Sequence, residues 1–262
     1  MTTVSVVVPA FNEESRLPRL LEVVEATGSK EFAEAGLQLL EVIVVDDGST
    51  DRTPQVLSAA SAMPWLRPVI TRKPNVGKGS AVRRGVRRAR GELVLICDTD
   101  LATPLGEVRK LQDSLASGAD VAIGSRALDP RLEREMPQYR RLAGRAFNLG
   151  IRISTGLPFR DTQCGFKLMP TAVAQTLLRE QLVRGFAFDV EMLMRARNAG
   201  LRVEEVPVVY VHDHDTRVSM ASATAQMGRD VIRLAARLRR PYRRGALRRD
   251  RAAAVGSSEE RR

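Results

Sequence analysis

Five short β-rich runs recur along the first half of this chain, and each is separated from the next by a stretch with helical periodicity. The runs are Val4–Val8, Leu40–Val45, Val69–Arg72, Leu93–Cys97 and Val121–Gly124. A near-continuous apolar strand has no face to give to water, so such runs belong in a parallel sheet covered on both sides. The helical stretches between them are Leu17–Ala26, Thr53–Ala62, Gly79–Ala89 and Pro104–Ala116. In the third, Ala81, Val82, Gly85, Val86 and Ala89 form an apolar stripe, while Arg83, Arg84, Arg87 and Arg88 face elsewhere. The fourth has Thr103 as N-cap and Pro104 at the first helical position. Repeated βα units predict an α/β fold with a doubly wound sheet, whose ligands bind beyond the carboxyl ends of the strands.

The second half is less regular. Periodicity predicts helices near Tyr139–Ile153 and Phe188–Ala199, the latter closed by Gly200, and a strand over Val203–Val211. Beyond Ser219, Met220, Met227, Val231, Leu234 and Leu238 recur at helical spacing, with Arg229, Arg233 and Arg237 on another side and Pro241 as a stop. Nine arginines against the single acid Asp230 lie between Arg229 and Arg249, so most of the formal +11 belongs to this end of the chain. The remainder reads as a disordered basic tail.

Composition excludes several classes. Aromatics make up 4% of residues, too few for a stacking platform for single-stranded nucleic acid, and no nucleic-acid-reading motif is present. The two cysteines, Cys97 and Cys164, form no CxxC pair, which argues against a disulfide scaffold or a zinc site and fits a reducing compartment. No signal peptide and no span of about 18 apolar residues is visible, so the expectation is a cytoplasmic protein that meets a membrane only from its surface.

Four segments carry chemistry. In LVLICDTDLATP a buried strand runs into Asp98 and Asp100, which point the same way because residues two apart in extended chain share a side. Two such carboxylates suit a hard cation, Mg²⁺ or Mn²⁺, that bridges a diphosphate, although a solvated turn would look the same. In EVIVVDDGSTD a strand ends in Asp46 and Asp47, placed to accept hydrogen bonds from a nucleoside or simply to close a turn. VVVPAFNEE ends a strand at Pro9 and leaves Asn12, Glu13 and Glu14 to begin a helix, with Asn12 an ordinary N-cap on the plainer reading. NVGKGSAVRRG sets Lys78 between two glycines at a helix start, a possible anion site without Walker A spacing.

Taken together, VSVVVPAFNEE, VIVVDDGSTD, NVGKGSAVRRG and the DTD after a strand resemble, in order and spacing, the inverting family 2 glycosyltransferases of the GT-A fold. VAIGSR, DTQCGFKLM and FAFDVEMLMRA look like the polyprenyl-phosphate branch, most like dolichyl-phosphate β-glucosyltransferases and less like dolichyl-phosphate mannose synthases. The likeness covers roughly residues 3–220. It implies a Rossmann-like, mostly parallel central sheet flanked by helices, with a C-terminal amphipathic helix and basic tail outside it. Residues 1–219 would be the catalytic domain, 1–100 its nucleotide half and 101–219 its acceptor half, with 220–240 the amphipathic helix and 241–262 the tail.

By the same resemblance, Pro9, Ala10, Glu13 and Asp47 would line the nucleoside pocket with Lys78 beside it, and Asp98 and Asp100 would hold the metal. Arg126 would approach an acceptor phosphate, and Asp161, Gln163 and Asp189–Glu191 would shape the donor-sugar and acceptor end. The His212–Met220 segment would close over the nucleotide, with Arg217 and Ser219 toward phosphates. Ala102 stands where mannose synthases have Gln, which leans away from them, and Met220 follows Ser219 where the family has Lys. His212 and His214, with Asp213 and Asp215, are either solvated loop residues or contacts to the cation.

The resemblance implies UDP-glucose as donor, a polyprenyl phosphate as acceptor and Mg²⁺ or Mn²⁺ as cofactor. The alternatives are a GDP-mannose enzyme or a transferase acting on a soluble hydroxyl. An acceptor phosphate, with a second pKa of about 6, is largely ionised at neutral pH and needs no general base. The Arg-rich end helix is suited to an anionic membrane surface, here the inner face of the cell membrane, or to packing on the catalytic domain.

Overall fold

The computed structural model describes residues 1–71, 74–129, 138–211 and 220–238. Seven strands, β1 (Thr2–Ala10), β2 (Leu37–Asp46), β3 (Leu66–Ile70), β4 (Leu93–Ile96), β5 (Val121–Ser125), β6 (Lys167–Pro170) and β7 (Val203–Pro207), form one sheet. Their order is β3-β2-β1-β4-β6-β5-β7. Neighbours are parallel (β1 with β2 and β4, β2 with β3, β5 with β7) except around β6, which runs antiparallel to both β4 and β5. The mostly parallel α/β sheet read from the sequence is present.

Alternation along the strands divides the core in two. Val4, Val6 and Val8 point to one side with Val42, Val44 and Leu95, where Leu17, Leu20, Phe32, Leu57 and Leu111 from the helices cover them. Val7 points to the other with Ile43, Val45, Val94 and Ile96, beneath Ala81, Val82, Leu177, Phe188 and Val190. Both faces are dry, which is why these strands read as unbroken apolar runs. The apolar side of the C-terminal helix Met220–Leu238 faces this second layer, where Val231 and Leu234 are buried.

Several boundaries differ from expectation. β3 begins at Leu66 instead of Val69. Helix Leu17–Val23 passes through a π-helical turn, Val24–Gly28, into a further helix, Ser29–Glu34, that the periodicity did not announce. Asn12 does not cap it: Asn12 adopts φ 56° in a loop and Arg16 is the N-cap. Pro104 is extended (ψ 145°), so that helix begins with a 3₁₀ turn at Leu105–Glu107 and Thr103 caps nothing. The expected long strand over Val203–Val211 stops at Pro207, whose ring cannot donate to a ladder. Strand β6 and helix Thr171–Arg179 were not foreseen.

Candidate functional site

The parallel strands β1, β2 and β4 deliver their carboxyl ends to one edge of the sheet. Backbone bonds stitch that edge: Cys97 N–H donates to Val7 O (3.0 Å) and Asp47 N–H to Ala10 O (2.9 Å). The Thr99 hydroxyl donates to Pro9 O at 2.9 Å. Beyond the edge lies a cleft with a cavity volume of about 1300 Å³, whose walls include Pro9, Ala10, Glu13, Asp47, Lys78, Asp98 and Asp100. That exceeds the roughly 300–1,000 Å³ typical of a single small-ligand pocket.

The two adjacent acids after β2 take different tasks. Asp46 Oδ1 accepts the Ser49 N–H (3.1 Å) and the Ser49 hydroxyl, closing a turn in which Gly48 sits at φ 79°. Asn12 bridges this turn to the β1 loop: its N–H donates to Ser49 Oγ (2.9 Å) and its Oδ1 accepts Thr50 N–H (2.9 Å). Asp47 instead turns into the cleft. Its Oδ2 accepts the N–H groups of Val76 (2.9 Å) and Gly77 (2.6 Å), and its Oδ1 accepts Arg84 Nη1 (3.1 Å). Asp47 therefore fixes the start of helix Lys78–Val86 as well as facing the cavity. Arg84, expected among the outward arginines, is turned inward because the buried Asp47 carboxylate needs a counter-charge.

Asp98 and Asp100 stand where β4 runs out. Lys78 Nζ lies 2.6 Å from Asp98 Oδ1. Asp100 Oδ1 accepts the Ala102 N–H at 3.0 Å, and Leu101 between them is held at φ 49°. Burial, and then the Asp98 charge, hold the Asp100 carboxyl above the usual range against the opposing Ala102 N–H and Lys78. Lys78 is pulled down by burial, but Asp98, Asp189 and Asp100 outweigh that and keep it raised, hence charged. On the other side of Asp98 the wall is Gly165: a Cβ there would come within 2.0 Å of Asp98 Oδ2.

Two hard-oxygen donors that both face the cleft, one of them seated against a glycine, fit a small dication. Among the described residues no group of three or more His, Cys, Asp or Glu side chains could hold a metal. Water and phosphate oxygens are further ligands that Mg²⁺ accepts readily beside such a pair.

Behind Lys78 lies a second ion pair. Lys167, entirely buried in β6, sits 2.7 Å from Asp189 Oδ1 at the start of helix Phe188–Asn198, and its ammonium also donates to Cys164 O. Glu191, two residues on, accepts the N–H groups of Leu182 (2.9 Å) and Val183 (2.8 Å) and the Arg195 Nε–H (2.8 Å). It holds the loop that walls the cleft opposite β1. Asp189 and Glu191 thus support the site from behind.

Arg126, Asp161 and Gln163 lie together at the far end. Arg126 Nε and Nη2 grip Asp161 Oδ2 (2.7 Å) and Oδ1 (3.0 Å) in a two-pronged pair, and the guanidinium lies 5.3 Å over the ring of Tyr210, which lines the cleft. Burial alone would raise the Asp161 carboxyl, but Arg126 and the Gln163 N–H bring it below the ordinary range. Glu205 braces the group by accepting Asp161 N–H (2.7 Å) and the Ser125 hydroxyl (2.7 Å). The Gln163 side chain reaches the Met227 sulfur on the C-terminal helix. Cys97 and Cys164 are buried free thiols, both pushed up chiefly by burial (Cys164 to about 11), so neither is a nucleophile at neutral pH. Arg217, Ser219, His212 and His214 lie outside the described residues.

Comparison with known proteins places this arrangement. The family model for glycosyl transferase family 2 matches residues 5–178. The dolichyl-phosphate β-glucosyltransferase of Drosophila melanogaster is 36% identical over 237 residues, covering 87% of this chain and 73% of the relative. That of Homo sapiens is 34% identical over 238 residues, with 87% and 73% covered. Among solved structures, glucosyl-3-phosphoglycerate synthase of Mycobacterium tuberculosis with Mn²⁺, UDP and glucosyl-3-phosphoglycerate superposes with a TM-score of 0.62 at 20% identity, over 90% of this chain and 80% of that one.

Proposed function

The chain belongs to glycosyl transferase family 2, and from that premise we propose that it transfers glucose from UDP-glucose to a polyprenyl phosphate of the dolichol type, with inversion. It is a nucleotide-sugar-dependent glycosyltransferase of GT-A fold. Proposed in addition are the donor, the lipid acceptor, the cation and the roles of individual residues. The observation that carries the acceptor assignment is the state of the acids in the cleft. Of the five acids lining the cleft, Glu13, Asp47, Asp98 and Asp230 each have a basic side chain within 4 Å, and the fifth, Asp100, is the one assigned with Asp98 to the cation. Asp161, behind Tyr210, is neutralised by Arg126. Such paired carboxylates are poor general bases, and a sugar hydroxyl would need one. An acceptor phosphate brings its own ionised oxygen and does not.

In this reading Pro9, Ala10, Glu13 and Asp47 hold the nucleoside, and Lys78 faces the diphosphate. Asp98 and Asp100 would hold Mg²⁺ or Mn²⁺, which when bound stabilises charge on the departing nucleotide. Glycosyltransferases of this fold commonly use such a cation. Arg126 and Tyr210 position the acceptor phosphate in line with the anomeric carbon, and Arg217 and Ser219 close on the donor phosphates.

Among the described residues no helix is long and apolar enough to cross a membrane. Helix Gln138–Thr155 exposes Leu142, Leu149 and Ile153 along one side, next to exposed Arg145 and Arg152. We assign this stripe the contact with an anionic lipid surface. The C-terminal helix has its apolar side turned to the core, and any lipid contact by the basic region beyond it lies outside the described residues.

The test is a panel of UDP- and GDP-sugars with Mn²⁺ or Mg²⁺, with polyprenyl phosphate in anionic vesicles or with soluble acceptors. Transfer from UDP-glucose to the lipid phosphate supports the proposal. Transfer to soluble hydroxyls alone, or from GDP-mannose alone, replaces it. Leu149→Glu is expected to lower co-sedimentation with those vesicles several-fold; unchanged binding would remove the stripe from the lipid contact.

A third expectation concerns Gly165. Gly165→Ala drives a methyl into the Asp98 carboxylate, and displacing a reacting group by about 1 Å costs roughly 10²-fold in rate. kcat/KM should fall by that factor while the circular dichroism spectrum is retained. An active Gly165→Ala enzyme would show that Asp98 need not be where the wall now holds it.

A further inference from the structure

The Lys78 ammonium lies 2.6 Å from Asp98 Oδ1, on one of the two carboxylates just assigned to the cation. A monovalent and a divalent positive charge repel strongly across a few ångströms in a half-buried cleft. Lys78 therefore has to withdraw before Asp98 can take a dication. Its backbone is closely packed on both sides of it. Gly77, at φ 119°, and Gly79 pack closely against the facing loop and the helix that follows it: Cβ atoms on them would lie 2.5 Å from Arg184 O and 2.5 Å from Phe188 Cβ. This close packing holds the start of helix Lys78–Val86, so the movement falls to the flexible lysine side chain.

Apart from Asp100, itself assigned to the cation, two anionic destinations exist for it. One is Asp189, directly after Phe188, whose charge already acts on Lys78. That carboxylate is shared with the buried Lys167. The other is the diphosphate of an arriving donor, which enters the same cleft. A phosphate gives Lys78 a full new partner; Asp189 gives only part of one.

We infer that Lys78 is a place-holder for the cation: it occupies Asp98 while the site is empty and passes to the donor diphosphate when donor and cation arrive. The inference rests on the assignment of Asp98 and Asp100 to the cation. It makes binding cooperative by competition. Cation alone must expel the ammonium without compensation, whereas cation with nucleotide leaves it paired. This cooperativity adds to any due to direct metal–phosphate bonding, and it is removable by mutation.

The experiment titrates Mn²⁺ into the full chain, following free Mn²⁺ by electron paramagnetic resonance, with and without UDP. Wild type, Lys78→Met, Lys78→Gln, Lys78→Arg and Asp98→Asn are compared, each checked for native thermal unfolding. In the absence of UDP, Lys78→Met and Lys78→Gln should bind Mn²⁺ about tenfold more tightly than wild type, the equivalent of one lost ion pair. The enhancement by UDP should shrink by a similar factor, and Lys78→Arg should behave as wild type. Lys78→Met and Lys78→Gln no tighter than wild type, with Asp98-dependent Mn²⁺ binding intact, would overturn the place-holder role and leave the metal assignment standing. Failure of wild type and all Lys78 variants to bind Mn²⁺ even with UDP would overturn both.

Discussion

Asp98→Asn is expected to lower transferase activity by roughly 10³-fold while the protein remains folded. The amide keeps the carboxylate's shape, so it still fits against Gly165. What it loses is the negative charge that now pairs with Lys78 and that the proposed function offers to a cation. Stability should change little. The lost ion pair is about one-third exposed at Asp98, where such pairs contribute up to about 1 kcal/mol. Relief of the repulsion at Asp100 acts in the opposite direction. The midpoint of thermal unfolding should therefore move by no more than about 2–4 °C. Donor consumption and lipid-linked product are measured beside unfolding; a variant that retains activity with Mn²⁺ chelated would remove the cation from the mechanism.

Lys167→Met is expected to act in the opposite manner, through stability. Lys167 has no exposed surface and Asp189 almost none. Removing one member of such a pair leaves an uncompensated buried charge, at a cost of about 3–5 kcal/mol. For a chain of this size that lowers the unfolding midpoint by roughly 10 °C. Replacing both partners, as in Lys167→Met with Asp189→Leu, removes the stranded charge and should recover most of the loss. Calorimetric melts of the single and double variants measure it. A double variant no more stable than the single one would mean that the pair is held by more than its mutual charge.

The sequence made the carboxyl edge of the sheet readable because its signals are local. A buried strand running into Asp98 and Asp100, or into Asp47, announces both the strand and the acids that face the cleft in one stretch. Lys78 was legible for the same reason, set between glycines at a helix start. What escaped depends on distant partners. Arg84 sits in a cluster of arginines that reads as a solvated face, and only the burial of Asp47 turns it inward. Strand β6 is four residues long with a lysine at its start, a poor apolar signal, and its lysine is buried only because Asp189 arrives from a helix that follows. Gly165 looks like an ordinary turn glycine until the Asp98 carboxylate is found against it. The Arg126–Asp161 pair joins residues 35 positions apart, which no periodicity reports.

The reversal of β6 also bears on how the sheet threads itself. It meets β5 through two residue pairs, Ala122 with Leu168 and Ile123 with Lys167, and β4 through four. A slip of one position would exchange the two sides of the strand. Lys167 would then be thrust among Phe166 and Leu168's oily neighbours, and Asp189 would be stranded alone. Misalignment would thereby be penalised through charge as well as shape.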